Sequence, residues 1–307
     1  MVHLISMRLV QTPLILMAIF LITFVCAWLI PGDPLERPEG QRPPIEIRVA
    51  MAKQYNLDSP GSFLAGYIHD LLTKFDLGPS LQYRDQRVNE IVASGLPVSA
   101  LLGVAALLVA LHIGLVAGVL GALRPGTVLD LSSLGVAVVG VSLPTFVTGS
   151  ILLVVFANLL QLAPVGGWGT ARHLMLPALA LGLLPGAYIA RLVRLGLADV
   201  MASDYIRTAL AKGLSSHRVL FKHALKVAFL PVLSYLGPAA AFAVTGSFVV
   251  EMVFAIPGMG EHFVNAVLNK DQFLILGVVL VYSVILVLFN LVVDVAYAWL
   301  DPRIELT

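Results

Sequence analysis

The sequence predicts an all-α integral membrane protein with six transmembrane helices, both termini cytoplasmic, and an external segment between helices 1 and 2. Three observations carry this expectation. The 307 residues are 59% hydrophobic and only 12% charged, with mean hydropathy +0.93, whereas a soluble domain has about a quarter charged residues. The apolar residues form continuous runs rather than alternating, which favours helices over barrel strands. The basic residues concentrate in one segment between two of those runs, which fixes an orientation.

A helix crossing a hydrocarbon core of about 30 Å needs about 20 mainly apolar residues. Six runs qualify: 9–30, 96–123, 131–162, 174–195, 227–250 and 273–300. The first follows Arg8, as the core of a secretory signal would. It is too long for one, however, and no small-x-small cleavage site precedes Pro31-Gly32-Asp33-Pro34, so an uncleaved span is expected. The third run is long enough to require tilt or an interfacial end. Cys26, the single cysteine, lies within the first run, so neither a disulfide framework nor a thiolate metal site is available. Trp28, Trp168 and Trp299 fall near run ends, where interfacial anchoring accounts for them. The chain accordingly divides into 1–30, the first helix; 31–94, the external segment; and 95–307, which holds the other five helices.

Between the fourth and fifth runs stand Arg191, Arg194, Arg207, Lys212, Arg218, Lys222 and Lys226, against only Asp199 and Asp204. The other short loops offer one basic residue each: Arg124, Arg172 and Lys270. The basic segment is therefore expected in the cytoplasm. Segment 31–94 also carries bases, but a loop of about 60 residues translocates largely regardless of charge. Within it, 45–55 and 62–74 have helix-compatible apolar spacing, and 89–94 leads into the second run. Two placements are open: along the membrane surface, or over a pore.

In the basic segment, Ser203 or Asp204 can cap a helix running to Lys212, and Gly213 can end it in the left-handed conformation. A second helix can start near Ser215 or Ser216. Ile206, Ala209 and Leu210 share a face, with Leu214 following. The spacing predicts a short basic helix-turn-helix over about 204–224. Its plainest reading is a connecting loop whose charges set orientation. The functional reading is a docking element, with small residues allowing close approach and bases matching an acidic groove.

Thr208-Ala209-Leu210-Ala211-Lys212-Gly213, followed by His223-Ala224-Leu225, resembles the "EAA" coupling motif of ABC importer permeases, in the form carried by peptide importers. Thr208 stands where the general motif has Glu, and Leu210 where this subfamily often has a base. Five further stretches resemble the same family in order: Leu29-Ile30-Pro31-Gly32-Asp33-Pro34; Asp76-Leu77-Gly78-Pro79-Ser80; Val92-Ala93-Ser94-Gly95-Leu96-Pro97-Val98-Ser99; Glu251-Met252-Val253-Phe254 with Pro257-Gly258-Met259-Gly260; and Asp294, Tyr297 and Leu300-Asp301-Pro302-Arg303. The fullest resemblance is to the first permease of oligopeptide importers. It implies a pore-forming subunit in the bacterial cytoplasmic membrane, paired with a second homologous permease, two ATP-binding subunits and an external peptide-binding protein. It also implies that Thr208, Ala209, Ala211, Lys212, Gly213 and His223 couple to the ATPase. Glu251, Pro257, Gly258, Gly260 and Asp294 become candidates for a gate or for structural support. No cofactor is expected in this chain; ATP and magnesium would be held by the partner subunits.

Several classes fall away on the residues themselves. No lysine follows a glycine, so the phosphate-binding G-x-x-x-x-G-K-[ST] loop is absent and the chain is not expected to be an ATPase or any other enzyme. No basic stripe points to nucleic acid, and no His/Cys/Asp cluster to a metal. An intramembrane protease would have only Ser142 and the mid-span His112 to work with; helix packing and an interhelical hydrogen bond explain those as well. A proton-coupled transporter would need acids deep within spans, and Glu251 and Asp294 sit near span ends. Permeases for nickel-chelate, glutathione or dipeptides are similar enough to stay as alternative substrates.

Overall fold

In the computed structural model, residues 2–36, 44–83, 85–128, 130–131, 135, 142–244 and 248–300 are described. The helices in order are α1 (Val2–Leu29), α2 (Ile45–Gln54), α3 (Pro60–Lys74), α4 (Val88–Leu123), α5 (Thr145–Leu152, continued by a π-helical turn Leu153–Leu159) and α6 (Ala171–Met201). After them come α7 (Asp204–Ala211), α8 (Ser216–Ala228, its centre π-helical), α9 (Leu230–Val244), α10 (Phe248–Val253), α11 (Met259–Leu268) and α12 (Gln272–Leu300). Among the described residues there is no strand, only one isolated bridge between Pro79 and Arg87.

Among the described residues, four helices are long and apolar enough to cross a membrane: Val10–Leu29, Val88–Leu123, Ala171–Met201 and Gln272–Ala296. They match the first, second, fourth and sixth runs, though α4 begins eight residues before run 96–123. Its N-terminus is built outside that run, where the Glu90 carboxylate accepts from the Arg87 backbone N–H at 3.1 Å.

The fifth run departs from expectation. It is not one helix over 227–250: α8 and α9 meet at a 52° bend. Pro231 explains the break, because it has no N–H to bond the preceding turn and disfavours helical backbone at Leu230. α8 therefore continues the fifth run backwards into the basic segment. The third run also differs from a single long helix. Its described part is α5 with its π-helical turn, starting after Pro144, whose extended backbone (ψ 142°) cannot prolong a helix behind it. Much of 131–141 lies outside the described residues, as do 245–247 of the fifth run and Asp301-Pro302-Arg303 of the terminal motif.

Small residues set the bundle's close approaches. A Cβ on Gly182 would lie 2.5 Å from the Ala106 carbonyl oxygen, one on Gly114 2.6 Å from the Ile189 side chain, and one on Gly118 2.7 Å from the Ala190 carbonyl oxygen. Without lipid–water contrast to drive helices together, such backbone proximity is what holds them. These contacts advance together along both chains, so α4 and α6 run parallel. α1 and α12 run antiparallel: Gln11, Thr12, Ile15 and Ile19 face Leu286, Val287, Asn290 and Leu291, while Phe20 and Phe24 lie toward the Phe273 end.

The segment between α1 and α4 packs on that Phe273 end. Phe63 and Tyr67 of α3 enter an aromatic cluster, with ring centroids 4.9 Å apart for Phe63–Phe273, 5.4 Å for Phe20–Tyr67 and 5.8 Å for Trp28–Phe63. Asp271, fully buried just before α12, accepts from Ser80 Oγ (2.5 Å) and from the backbone N–H groups of Leu81 (2.9 Å), Gln82 (3.3 Å) and Leu274 (3.1 Å). One carboxylate thus caps the last helix and holds the 80–82 loop. The segment rests on α1 and α12 through these contacts.

Candidate functional site

At the end of the bundle where α4 and α6 finish, α7 and α8 form a ledge. α7 starts after Ser203, whose extended backbone (φ −75°, ψ 154°) suits a cap, but whose hydroxyl turns back to the Val200 carbonyl at 2.5 Å. Asp204 in the first turn complements the helix dipole. Ile206 is fully buried against Leu197, Val219, Leu220 and Ala224, with Ala209, Leu214, Val119 and Ala122 alongside. Leu210, expected on that inner face, is 41% exposed. The face is narrower than apolar spacing suggested, and Leu210 joins Tyr205, Thr208, Ala211 and Lys212 on the open side.

The stop is a double hydrogen bond around a left-handed residue. Gly213 has φ +80°; its N–H donates to the Leu210 carbonyl (2.9 Å), and the Leu214 N–H to that of Ala209 (3.3 Å). This pairing closes a helix C-terminus and demands positive φ. Nothing lies within 4 Å of where a Cβ would stand, so the glycine serves backbone conformation rather than space. The hydroxyl of Thr208, where the motif elsewhere has Glu, donates to the Asp204 carbonyl at 2.9 Å. His223 is half-buried in the π-helical part of α8, and Phe221 beside it is exposed and close to the His217 ring (4.6 Å).

An ion pair absent from the sequence expectations braces this end. Arg194 of α6 donates to Asp130 through Nε (2.5 Å) and Nη2 (2.9 Å), and the Gly126 N–H donates to the same carboxylate at 2.9 Å. Asp130 is 2% exposed. The hydrogen bonds from Arg194 and then Gly126 hold its carboxyl down to about 2.

A second group of predicted residues gathers at the opposite end of α4. Glu251 of α10 is 1% exposed and accepts from Ser99 Oγ at 2.7 Å and from the Gly260 N–H at 2.8 Å. Ser99 in turn accepts from the Met259 N–H at 2.8 Å. The carboxylate thus sits on the first amides of α11, where a negative charge is favoured. Gly258 and Gly260 make the room: a Cβ on the first would lie 2.5 Å from Glu251 Oε2, and on the second 2.8 Å. The Phe254 carbonyl accepts from the Gly167 N–H at 2.9 Å, tying in the segment before α6. Pro257 is exposed beside the turn, and Asp294 is half-buried on α12. His112 is exposed on the face of α4 turned away from α6. Among the described residues, no group of three or more His, Cys, Asp or Glu side chains could hold a metal.

The ledge and the Glu251 turn are separated along α4 by the stretch from Ser99 to Val119, about 30 Å of helix at 1.5 Å per residue, close to the thickness of a bilayer core of about 30 Å.

With this geometry in view, residues 114–306 match the family described as binding-protein-dependent transport system inner membrane component. The chain is 43% identical over 289 residues to the oligopeptide transport system permease protein OppB of Salmonella typhimurium, covering 92% of this chain and 93% of that protein. It is 41% identical over 292 residues to the dipeptide transport system permease protein DppB of Bacillus subtilis, covering 95% and 94%. It is 40% identical over 307 residues to OppB of Haemophilus influenzae, covering 99% and 100%. Among solved structures, an inward-facing MetNI methionine ABC transporter aligns with TM-score 0.56 at 19% identity, over 69% of this chain and 97% of that one. An amino acid ABC transporter aligns with TM-score 0.52 at 18% identity, over 69% and 94%.

Proposed function

From the premise that this chain belongs to the family of binding-protein-dependent transport system inner membrane components, we propose that it forms part of the pore through which an ABC importer takes up peptides, oligopeptides in particular. As a member of that family it is a multi-pass inner-membrane transport subunit rather than an enzyme. We read α7 and the start of α8 as the coupling element, facing the cytoplasm and gripped by a separate ATP-hydrolysing subunit that holds the nucleotide and its magnesium. Around the pathway we place a second homologous permease, a second ATPase copy and an external peptide-binding protein.

The observation that carries this reading is the ledge. Ile206 roots it in the bundle, while Thr208, Ala211, Lys212 and Gly213 remain open at its rim. Small residues there let a partner approach closely. Six spans with both termini inside fit the helix directions. α4 and α6 run parallel, which supports a crossing of the membrane by the third run between them. The basic residues around the ledge place it inside, and the Glu251 turn and the 31–94 segment outside.

Dipeptides are the second reading, favoured by the likeness to DppB. Nickel-chelate and glutathione remain weaker substrate alternatives. A secondary transporter would move solute in the presence of vanadate and stop with an uncoupler; the ABC reading expects the reverse.

The deciding experiment is Gly213→Pro in the assembled complex. φ +80° is closed to proline. The variant should reach the membrane in normal amount yet separate ATP hydrolysis from uptake. Normal uptake would contradict the docking role.

A further inference from the structure

We propose that Asp130 and Arg194 are positioning residues: a strut that carries movement of the α7–α8 ledge into the third apolar run and sets how much solute moves per ATP hydrolysed. The proposal rests on the coupling role of the ledge, and its ground is the way that ledge is attached.

Two kinds of contact meet α6, which runs directly into the ledge, at this end of the bundle. The first is apolar: Ile206, Val219 and Ala224 pack on Leu197 of α6, with Val119 and Ala122 of α4 beside them. Such packing is non-directional, and packed helices can slide on it. The second is the ion pair, and it is directional. Arg194 lies seven residues before the end of α6, about 10 Å from the ledge. Both oxygens of Asp130 are engaged, one by Nε at 2.5 Å and the other by Nη2 at 2.9 Å. A forked guanidinium–carboxylate contact fixes orientation as well as distance.

The acidic partner belongs to a folded turn rather than a loose loop. Thr127 Oγ1 donates to the Arg124 carbonyl (2.7 Å), the Gly126 N–H to Asp130 Oδ2 (2.9 Å) and the Leu131 N–H to the Thr127 carbonyl (3.0 Å). This turn connects the end of α4 to the run that starts at residue 131. Displacement of α6 by a partner pressing on α7 therefore pulls the entrance of the third run directly, through a contact that fixes orientation as apolar packing does not. At 2% and half-buried, Asp130 and Arg194 are well shielded from competing water. Losing one partner would strand a desolvated charge, so single substitutions do not by themselves distinguish a strut from a fold support.

The test uses the assembled importer in proteoliposomes and compares four forms: wild type, Asp130→Asn, the neutral double Asp130→Asn/Arg194→Gln, and the swap Asp130→Arg/Arg194→Asp. Three quantities are read: ATPase subunit retained on purification, ATP hydrolysis stimulated by peptide-loaded binding protein, and peptide taken up per ATP. The neutral double should retain the ATPase and keep hydrolysing, with uptake per ATP down about tenfold, within the range of energetic coupling between distant sites. The swap should restore part of that ratio. Wild-type uptake per ATP in the neutral double, or loss of the ATPase from it, would overturn the strut. Failure of the wild-type chain itself to retain an ATPase would instead sink the coupling role beneath it, so the two failures are separable.

Discussion

At Gly258 and Gly260 the backbone passes so close to its neighbours that a methyl group has nowhere to go; it would lie 2.5 Å from Glu251 Oε2 at the first, and 2.7 Å from Phe248 Cα and 2.8 Å from Glu251 Oε2 at the second. Either glycine changed to alanine should lower stability by about 1–3 kcal/mol, as forced overpacking does, read as a lower thermal midpoint of the purified protein. Glu251→Ala removes the acceptor for Ser99 and Gly260 and should cost a similar amount, about 1–3 kcal/mol for buried donors left unpaired. Gly213 responds differently, because its Cβ space is empty and only φ +80° is demanding. There Gly213→Asn should support uptake better than Gly213→Val, since asparagine tolerates the left-handed region and a β-branched side chain does not. Equal uptake by the two variants would show that the left-handed stop has no part in function. The sequence disclosed Gly213 and the glycines of the Glu251 turn as candidates. It did not disclose that Ser99, read only as part of the approach to the second span, completes the Glu251 site. Nor did it disclose Asp130, because its partner lies 64 residues away and Arg194 had been explained by orientation alone.

The elements were most legible where composition alone decides them. α1, α4, α6 and α12 follow from hydropathy, and α2, α3 and α7 from periodicity and caps. Hydropathy is blind to the lost N–H of a proline, so it shows neither the 52° bend before Pro231 nor the start of α5 after Pro144 within the fifth and third runs. The Asp271 clasp was missed for another reason: a polar residue at a span end looks like a solvated cap until the 80–82 loop is seen to close over it. Burial raises the Asp271 carboxyl above its ordinary range, against the hydrogen bonds from Ser80 and the backbone. With the folded value above the unfolded one, its contribution is fully present below about pH 4 and declines as pH rises through the folded value. Hydrogen exchange across residues 76–87 should therefore be better protected at pH 5 than at pH 7, after correction for the intrinsic exchange rate. Asp271→Asn should flatten that difference. A slope unchanged in the variant would mean that another group governs the clasp.

At the scale of the whole molecule, one bundle carries a distinct group of residues at each end. A ledge rooted by Ile206 lies at one, a Glu251-centred turn and an aromatic-packed segment at the other, and parallel α4 and α6 connect them through small-residue contacts. Fold class and family were readable from the chain because lipid imposes a coarse rule on every span and the motifs occur in order. Which side chains meet across the bundle was not readable, since it depends on contacts between residues far apart in sequence. The central claim is that the ledge faces the cell interior and is held by an ATP-hydrolysing partner. It is tested most directly with Lys212→Cys in a Cys26→Ser background, using an impermeant thiol reagent and then a short cross-linker on oriented membrane vesicles. The account predicts labelling only from the cytoplasmic face and a cross-link to an ATPase subunit that peptide-loaded binding protein and ATP alter. Labelling from the external face, or full uptake with no such subunit present, would contradict it.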